Sequence, residues 1–141
     1  MGTYHINEGT FEAADEWGDQ SLNIFTATED LAEGGNLVIS RDLISKGEDL
    51  EAYVSRQWKE MEKALPQMRL LRREPTTLGG APATNVEINW LGENGTLRQR
   101  LICAVHNGRA LVLTLTVPER LYEKRAGMLD PVLASFSFRQ P

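Results

Sequence analysis

Few side chains in this sequence are placed to do chemistry. The two histidines, His5 and His106, stand far apart, and His106 adjoins an Asn-Gly pair that reads as a turn. Metal sites need several ligands clustered at defined spacing, so each histidine reads as structural or surface. Cys103, the one cysteine, lies in an apolar run with no sequence neighbour that would stabilise a thiolate. No Gly-x-Ser-x-Gly elbow is present, although a Ser/His/Asp triad is a spatial arrangement that sequence alone leaves open. Gly79-Gly80 is too short and too near Pro82 for a phosphate loop. Ser40-Arg41-Asp42, at the end of a predicted strand, could be catalytic; an Arg–Asp ion pair locking a hairpin is the simpler reading. Gln57 and Gln99 keep two readings open. They are either edge positions facing solvent or a pair of amides lining an apolar groove, each able to donate and accept.

Those residues need elements to hold them. The one long, strongly periodic helix runs from Asp49 to Leu65. Leu50, Tyr53, Val54, Trp58, Met61 and Leu65 make its apolar stripe, and Gln57 borders it. Ser45 followed by Glu48 reads as a capping box that would start the helix early, and Pro66 stops it. Almost everything else reads as strand. Thr3–Ile6 is an expected edge strand, with Phe11 and Trp17 as anchors. Ser21–Thr28 and Asn36–Asp42 form a hairpin around Gly34-Gly35. Arg69–Glu74 is followed by a loop through Pro75, Gly79, Gly80 and Pro82. Three alternating runs, Thr84–Leu91, Leu97–His106 and Ala110–Val117, are joined by Asn94-Gly95 and Asn107-Gly108, the favoured pair for a tight hairpin.

Counting from those turns sets Ile88 opposite Leu101, Trp90 opposite Gln99, Cys103 opposite Val112 and Leu101 opposite Thr114. One face then carries Val86, Ile88, Trp90, Leu101, Cys103, Val105 and Val112. The other mixes Glu87, Asn89, Arg98 and Arg100 with Ile102, Ala104, Leu111, Leu113 and Leu115, and its apolar part needs a cover. Pro118 is expected to open a helix to about Ala126, Asp130-Pro131 to cap a second, and Ser135–Phe138 to form a last strand. The expected fold class is α+β: a single domain over residues 1–141, an antiparallel sheet packed against one long helix and a C-terminal helix.

Composition bounds the function. The chain has 141 residues, 41% hydrophobic and 25% charged, as in ordinary globular proteins. A net charge of -5 argues against nucleic acid as the main partner. One cysteine allows no internal disulfide, which suits the cytosol. MGTYHINEG has neither a basic n-region nor an apolar h-region, so no secretory signal is expected. Ile6 stands where myristoylation wants Ser or Thr. No apolar run approaches the ~20 residues of a membrane span. Asn94-Gly95-Thr96 fits a glycosylation sequon but reads better as a turn.

The sequence resembles the DcrB-related proteins of PsbP-like fold, and within them the Eag family of effector-associated chaperones of type VI secretion. The matching pieces, in order, are Tyr4–Gly9 (YHINEG) and Phe11, Trp17–Phe25 (WGDQSLNIF), Leu37–Asp42 (LVISRD), Leu50, Tyr53-Val54 and Gln57, and Leu65-Pro66. They continue through Leu78–Ala83 (LGGAPA), Trp90, Leu113–Pro118 (LTLTVP) and Leu133–Phe138 (LASFSF). Each is short; their order and spacing cover nearly the whole chain. The resemblance implies a cytoplasmic, non-enzymatic chaperone or adaptor without cofactor or metal. Such proteins bind the N-terminal transmembrane segments of PAAR-containing effectors and keep them soluble for loading. It also implies a homodimer with a concave apolar groove. Groove roles carry over to Leu22, Ile24 and Ile39, to Gln57, Met61 and Leu65, and to Gln99 and Leu101, although Met61, Leu65 and Leu101 fit a core equally well. The alternative is a non-enzymatic PsbP-like binding or scaffold module for a soluble partner.

Overall fold

The Asn107-Gly108 turn sets the centre of the sheet. In the computed structural model, which describes residues 2–6, 8–14, 22–26 and 35–139, both turn residues take positive φ, 52° and 74°. That is the backbone a two-residue hairpin needs. It joins β7 (Gly95–His106) to β8 (Arg109–Pro118) and places Cys103 opposite Val112 and Leu101 opposite Thr114, as expected. The preceding turn sits one residue earlier than expected. Glu93 and Asn94 form it, Gly92 faces Gly95, and Gly95 takes φ 122°. β6 (Ala81–Gly92) is therefore paired with Val86 opposite Leu101, Ile88 opposite Gln99 and Trp90 opposite Leu97. Moving a turn by one residue shifts every partner by two, so each side chain keeps its face.

β5 (Arg69–Leu78) runs through Pro75, where a loop was expected. Pro75 is tolerated because β5 is an edge strand, and Pro82 because β6 pairs with β7 only from Ala83 onward. Gly79 and Gly80, at φ 57° and 82°, make the tight turn between the two strands. β3 (Leu22–Thr26) and β4 (Asn36–Leu43) complete the sheet. It has six antiparallel strands in the order β3-β4-β8-β7-β6-β5. β1 (Gly2–Ile6) and β2 (Gly9–Ala13) pair as a separate hairpin, so Thr3–Ile6 is not an edge of the main sheet. Phe11 is exposed on β2, and Trp17 lies outside the described residues.

The helix α1 (Leu50–Ala64) is capped by Asp49, whose carboxylate accepts from the Ala52 N–H at 2.8 Å. Ser45 and Glu48 form a turn ahead of it, with the Ser45 N–H donating to Glu48 Oε1 at 3.2 Å, and do not extend the helix. At the far end the Pro66 carbonyl accepts from Leu91 N–H at 2.9 Å, tying the helix exit to β6. After β8 the chain is helical in short pieces. Two 3-10 turns, Glu119–Leu121 and Ala126–Leu129, alternate with α2 (Tyr122–Arg125) and α3 (Asp130–Ser135). Pro118 closes β8 instead of opening a helix, and Asp130 is the first residue of α3 instead of its cap. Residues 136–138 form no strand, although the backbone leaves the helix extended at Phe136. Phe138 stacks on His106 at 4.0 Å between ring centroids and meets Phe136 edge-on at 4.9 Å.

The sheet has an apolar layer on each face. Tyr53 and Val54 of α1 pack on Val86, Ile88, Leu101, Cys103, Ala110 and Val112. The opposite face buries Leu78, Ala83, Ile102, Ala104, Leu113, Leu115 and Val117 under Leu129 and the C-terminal segment.

Candidate functional site

Helix α1 packs over β6 and β7 and leaves part of the same face open over β8, β4 and β3. The open part is a groove. Gln57, Trp58 and Met61 form its wall, and Ser40, Leu101, Cys103, Val112 and Thr114 lie along its floor, around a cavity of about 260 Å³. Cross-strand pairs carry the floor outward. Ser40 faces Leu22 and Val38 faces Ile24, and opposed residues in an antiparallel pair share a face. Leu22 and Ile24 are 58% and 60% exposed, so among the described residues apolar side chains stand uncovered at the sheet edge. Further along β4 and β8 lies a second, separate depression lined by Asn36, Thr116, Trp90 and Pro66. Ser40 of the groove and Asn36 of the depression stand ~13 Å apart along β4, at the usual strand rise.

The groove's polar groups are tied to one another. Asp42 accepts from the Tyr53 hydroxyl and from the Gln57 amide, each at 3.0 Å. Burial, reinforced by the Asp42 carboxylate, raises the Tyr53 phenol well above the ordinary tyrosine range. Gln99 accepts from Trp90 Nε1 at 3.2 Å and donates to Thr116 Oγ1 at 2.9 Å. Burial pushes the Cys103 thiol up to about 12, the reverse of what a nucleophilic thiolate needs. Arg41 and Asp42 point to opposite faces of β4. The first hairpin is locked by Arg41 donating to Asn23 Oδ1 at 2.7 Å, not by an Arg41–Asp42 pair. Among the described residues there is no cluster of His, Cys, Asp or Glu able to hold a metal ion, and no helix long and apolar enough to cross a membrane.

This groove and sheet can be set against known proteins. The family model described as DcrB matches residues 8–135. The chain belongs to the DcrB family. It is 32% identical over 117 residues to a Pseudomonas aeruginosa protein named Effector EagT6, covering 82% of this chain and 81% of that one. Among solved structures, the P. aeruginosa protein PA94, of unknown function, superposes with a TM-score of 0.87 at 27% identity, covering 100% of this chain and 99% of that one. The cyanobacterial PsbP of Synechocystis sp. PCC 6803 superposes with a TM-score of 0.59 at 13% identity, over 91% of this chain and 98% of that one. That likeness speaks for the fold alone, and the fold is PsbP-like.

In this DcrB-family chain most of the expected groove residues share one face. Leu22, Ile24, Gln57, Met61, Leu65, Gln99 and Leu101 lie on the α1 side, with Leu101 at 9% exposure already part of the core. Ile39 does not join them. It pairs with Leu113 and packs with Leu115 and Leu129 on the far face. Gln57 lines the groove and Gln99 lies on the same face of the sheet, and each amide already bonds within the protein. Ser40, Thr114 and Thr116 were missed. Their signal was present in LTLTVP, where Thr alternates with Leu and so lines one face with small hydroxyls.

A second polar cluster lies on the far face. Glu87, 6% exposed, accepts a short hydrogen bond from the Tyr122 hydroxyl. Arg72 and Arg98 stand at 3.5 and 3.7 Å from its carboxylate. The Arg98 guanidinium lies 4.0 Å over the Tyr122 ring, and Arg100 reaches both Asn85 at 3.0 Å and Asp130 at 3.3 Å. Burial, then Glu87, raises the Tyr122 phenol. These contacts clamp the C-terminal segment onto the sheet.

Proposed function

We propose that this protein is a chaperone or adaptor that holds the N-terminal transmembrane segments of a PAAR-containing type VI secretion effector in the α1-side groove until export. It would act in the cytoplasm and without catalysis or cofactor. One observation carries the reading: Leu22 and Ile24 expose apolar surface on the face of the sheet that α1, with Met61 and Leu65, covers only in part. An exposed apolar surface of this kind marks a docking site, and a transmembrane helix in water has a matching surface to bury. The small hydroxyls of Ser40, Thr114 and Thr116 let a helix backbone approach closely and meet its polar atoms. The identity to Effector EagT6 supports placing the partner in type VI secretion.

The test is co-expression with the N-terminal region of a candidate effector, with and without its transmembrane segments, followed by affinity purification and native mass measurement. A soluble complex that needs those segments is the expected result. Capture of the truncated effector to the same extent would favour a scaffold for a soluble partner instead.

A further inference from the structure

Where β7 turns into β8, the far face of the sheet gathers positive charge. Arg41 pairs with Leu111, and Arg109 pairs with Leu43 on one side and His106 on the other. Paired residues share a face, as do residues two apart on one strand. Arg41, His106 and Arg109 therefore stand together on the face of Leu113, opposite α1. The chain after α3 passes over them: Phe138 stacks on His106 at 4.0 Å, and Arg139 follows. Together they line a cavity of about 790 Å³, with Phe136 as a further wall. Among the described residues no aspartate or glutamate lines it, although the chain as a whole carries a net charge of -5. Asp42, the neighbour of Arg41, points to the opposite face, where it accepts from Tyr53 and Gln57. Arg41 donates to Asn23 Oδ1 at 2.7 Å and to the Ile39 carbonyl at 3.3 Å. Both of these acceptors are neutral, so they fix the guanidinium without cancelling its charge.

We infer that this cavity is a docking site for an acidic segment of a partner protein, one in which carboxylates alternate with apolar side chains. The planar fork of an arginine matches a carboxylate with two parallel hydrogen bonds, and three such forks surround this cavity. The rings of Phe136 and Phe138 give the apolar side chains of the segment a surface to cover. Other anions fit less well. A lone phosphate fills a small part of this volume and leaves the rings unused. Anionic bilayers are recognised by clusters of about 4–8 basic residues, and the net charge of -5 opposes approach to a bilayer or to nucleic acid. The cavity and the α1-side groove open on opposite faces of the sheet, so an acidic partner in one leaves the other accessible. The site itself does not depend on the chaperone reading.

The test uses the full chain without any client. A labelled, amidated peptide of alternating glutamate and leucine is titrated with the protein and followed by fluorescence anisotropy. It should bind at low salt and weaken as salt is added, and its lysine–leucine counterpart should not bind. Arg109→Gln and Arg139→Gln should each weaken binding roughly tenfold, the loss of one charge-assisted hydrogen bond. Arg139 is exposed near the end of the chain, so its substitution removes charge without touching the core. Lys63→Gln, the same loss of charge on the exposed side of α1, should change nothing. Of the two histidine rings in the chain, that of His106 should shift in NMR spectra on peptide addition. Inorganic phosphate and phosphatidylglycerol vesicles, added separately at matched ionic strength, should not displace the peptide. Displacement by either would assign the site to a small anion or a lipid surface and overturn the inference. So would an acidic peptide that fails to bind, equal binding of the basic one, arginine variants that bind like the wild type, or an unmoved His106 ring. None of these outcomes alters the effector-capture test, and failed capture leaves this one intact.

Discussion

The Tyr53 hydroxyl on α1 donates to the Asp42 carboxylate on β4 at 3.0 Å, bridging the helix to the far side of the groove it walls. Tyr53 is 1% exposed, so this bond is made in a nearly dry site. Tyr53→Phe leaves Asp42 its bonds from Gln57 and the Leu43 N–H. The expected loss is about 1.5 kcal/mol, the low end for a hydrogen bond to a charged group, read as a lower denaturation midpoint.

The same bond sets an alkaline limit. The folded state holds the Tyr53 proton more tightly than the unfolded chain, through burial first and Asp42 second. Its contribution is complete below the unfolded phenol pKa of about 10 and is lost as pH rises beyond it. Wild-type stability should therefore fall more steeply above pH ~10 than that of Tyr53→Phe, in denaturation curves taken across that range.

Groove and core residues should separate by substitution. Ile24→Gln alters a side chain already 60% exposed and should cost less than about 1 kcal/mol, yet weaken effector capture. Leu65→Gln, at the partly buried helix end, should do the same with a somewhat larger stability cost. Leu101→Gln puts an amide where 9% of the side chain sees water and should cost about 3–5 kcal/mol. Thermal melts beside pull-downs separate the two classes.

The Gly79-Gly80 turn offers an internal control. Both residues have positive φ, but a Cβ at Gly79 would meet the Phe138 and Phe136 rings at 3.0 and 3.1 Å, whereas one at Gly80 meets nothing within 4 Å. Gly80→Ala should cost about 1–2 kcal/mol, from the backbone alone. Gly79→Ala should cost more, and comparing the denaturation midpoints measures how firmly the C-terminal residues are docked.

Cys103 should be silent in the folded protein. Its thiol, raised to about 12 by burial, stays protonated at pH 8. A disulfide reagent at that pH should react at the unfolding rate, and fully only in denaturant.

The architecture was readable where local chemistry decides it. Alternation over β6, β7 and β8 assigned each residue its face, and that survived a turn displaced from Asn94-Gly95 to Glu93-Asn94 because strand faces repeat every two residues. Pro75 misled because a proline's cost depends on whether its strand lies at an edge, which is a tertiary fact. The alternation in SFSF serves ring packing on His106, not strand pairing. Ile39, given a groove role by resemblance, lies on the face opposite Leu22 and Ile24. Residues 27–35 stand between β3 and β4, so the pairing of Leu22 with Ser40 could not be counted from the sequence. The ties of Asp42 to Tyr53 and of Gln99 to Thr116 join residues 11 and 17 positions apart, and no local pattern announces them.

The most direct test asks which face of the sheet touches the client. A photo-crosslinking side chain is placed at Ile24, Met61 or Met128 in a complex with an effector's N-terminal region. Ile24 and Met61 lie on the α1 face, and Met128 is exposed on the opposite one. Crosslinks from positions 24 and 61 into a transmembrane segment, with none from 128, are the predicted result. Crosslinks from 128 with none from 24 or 61 would contradict the account.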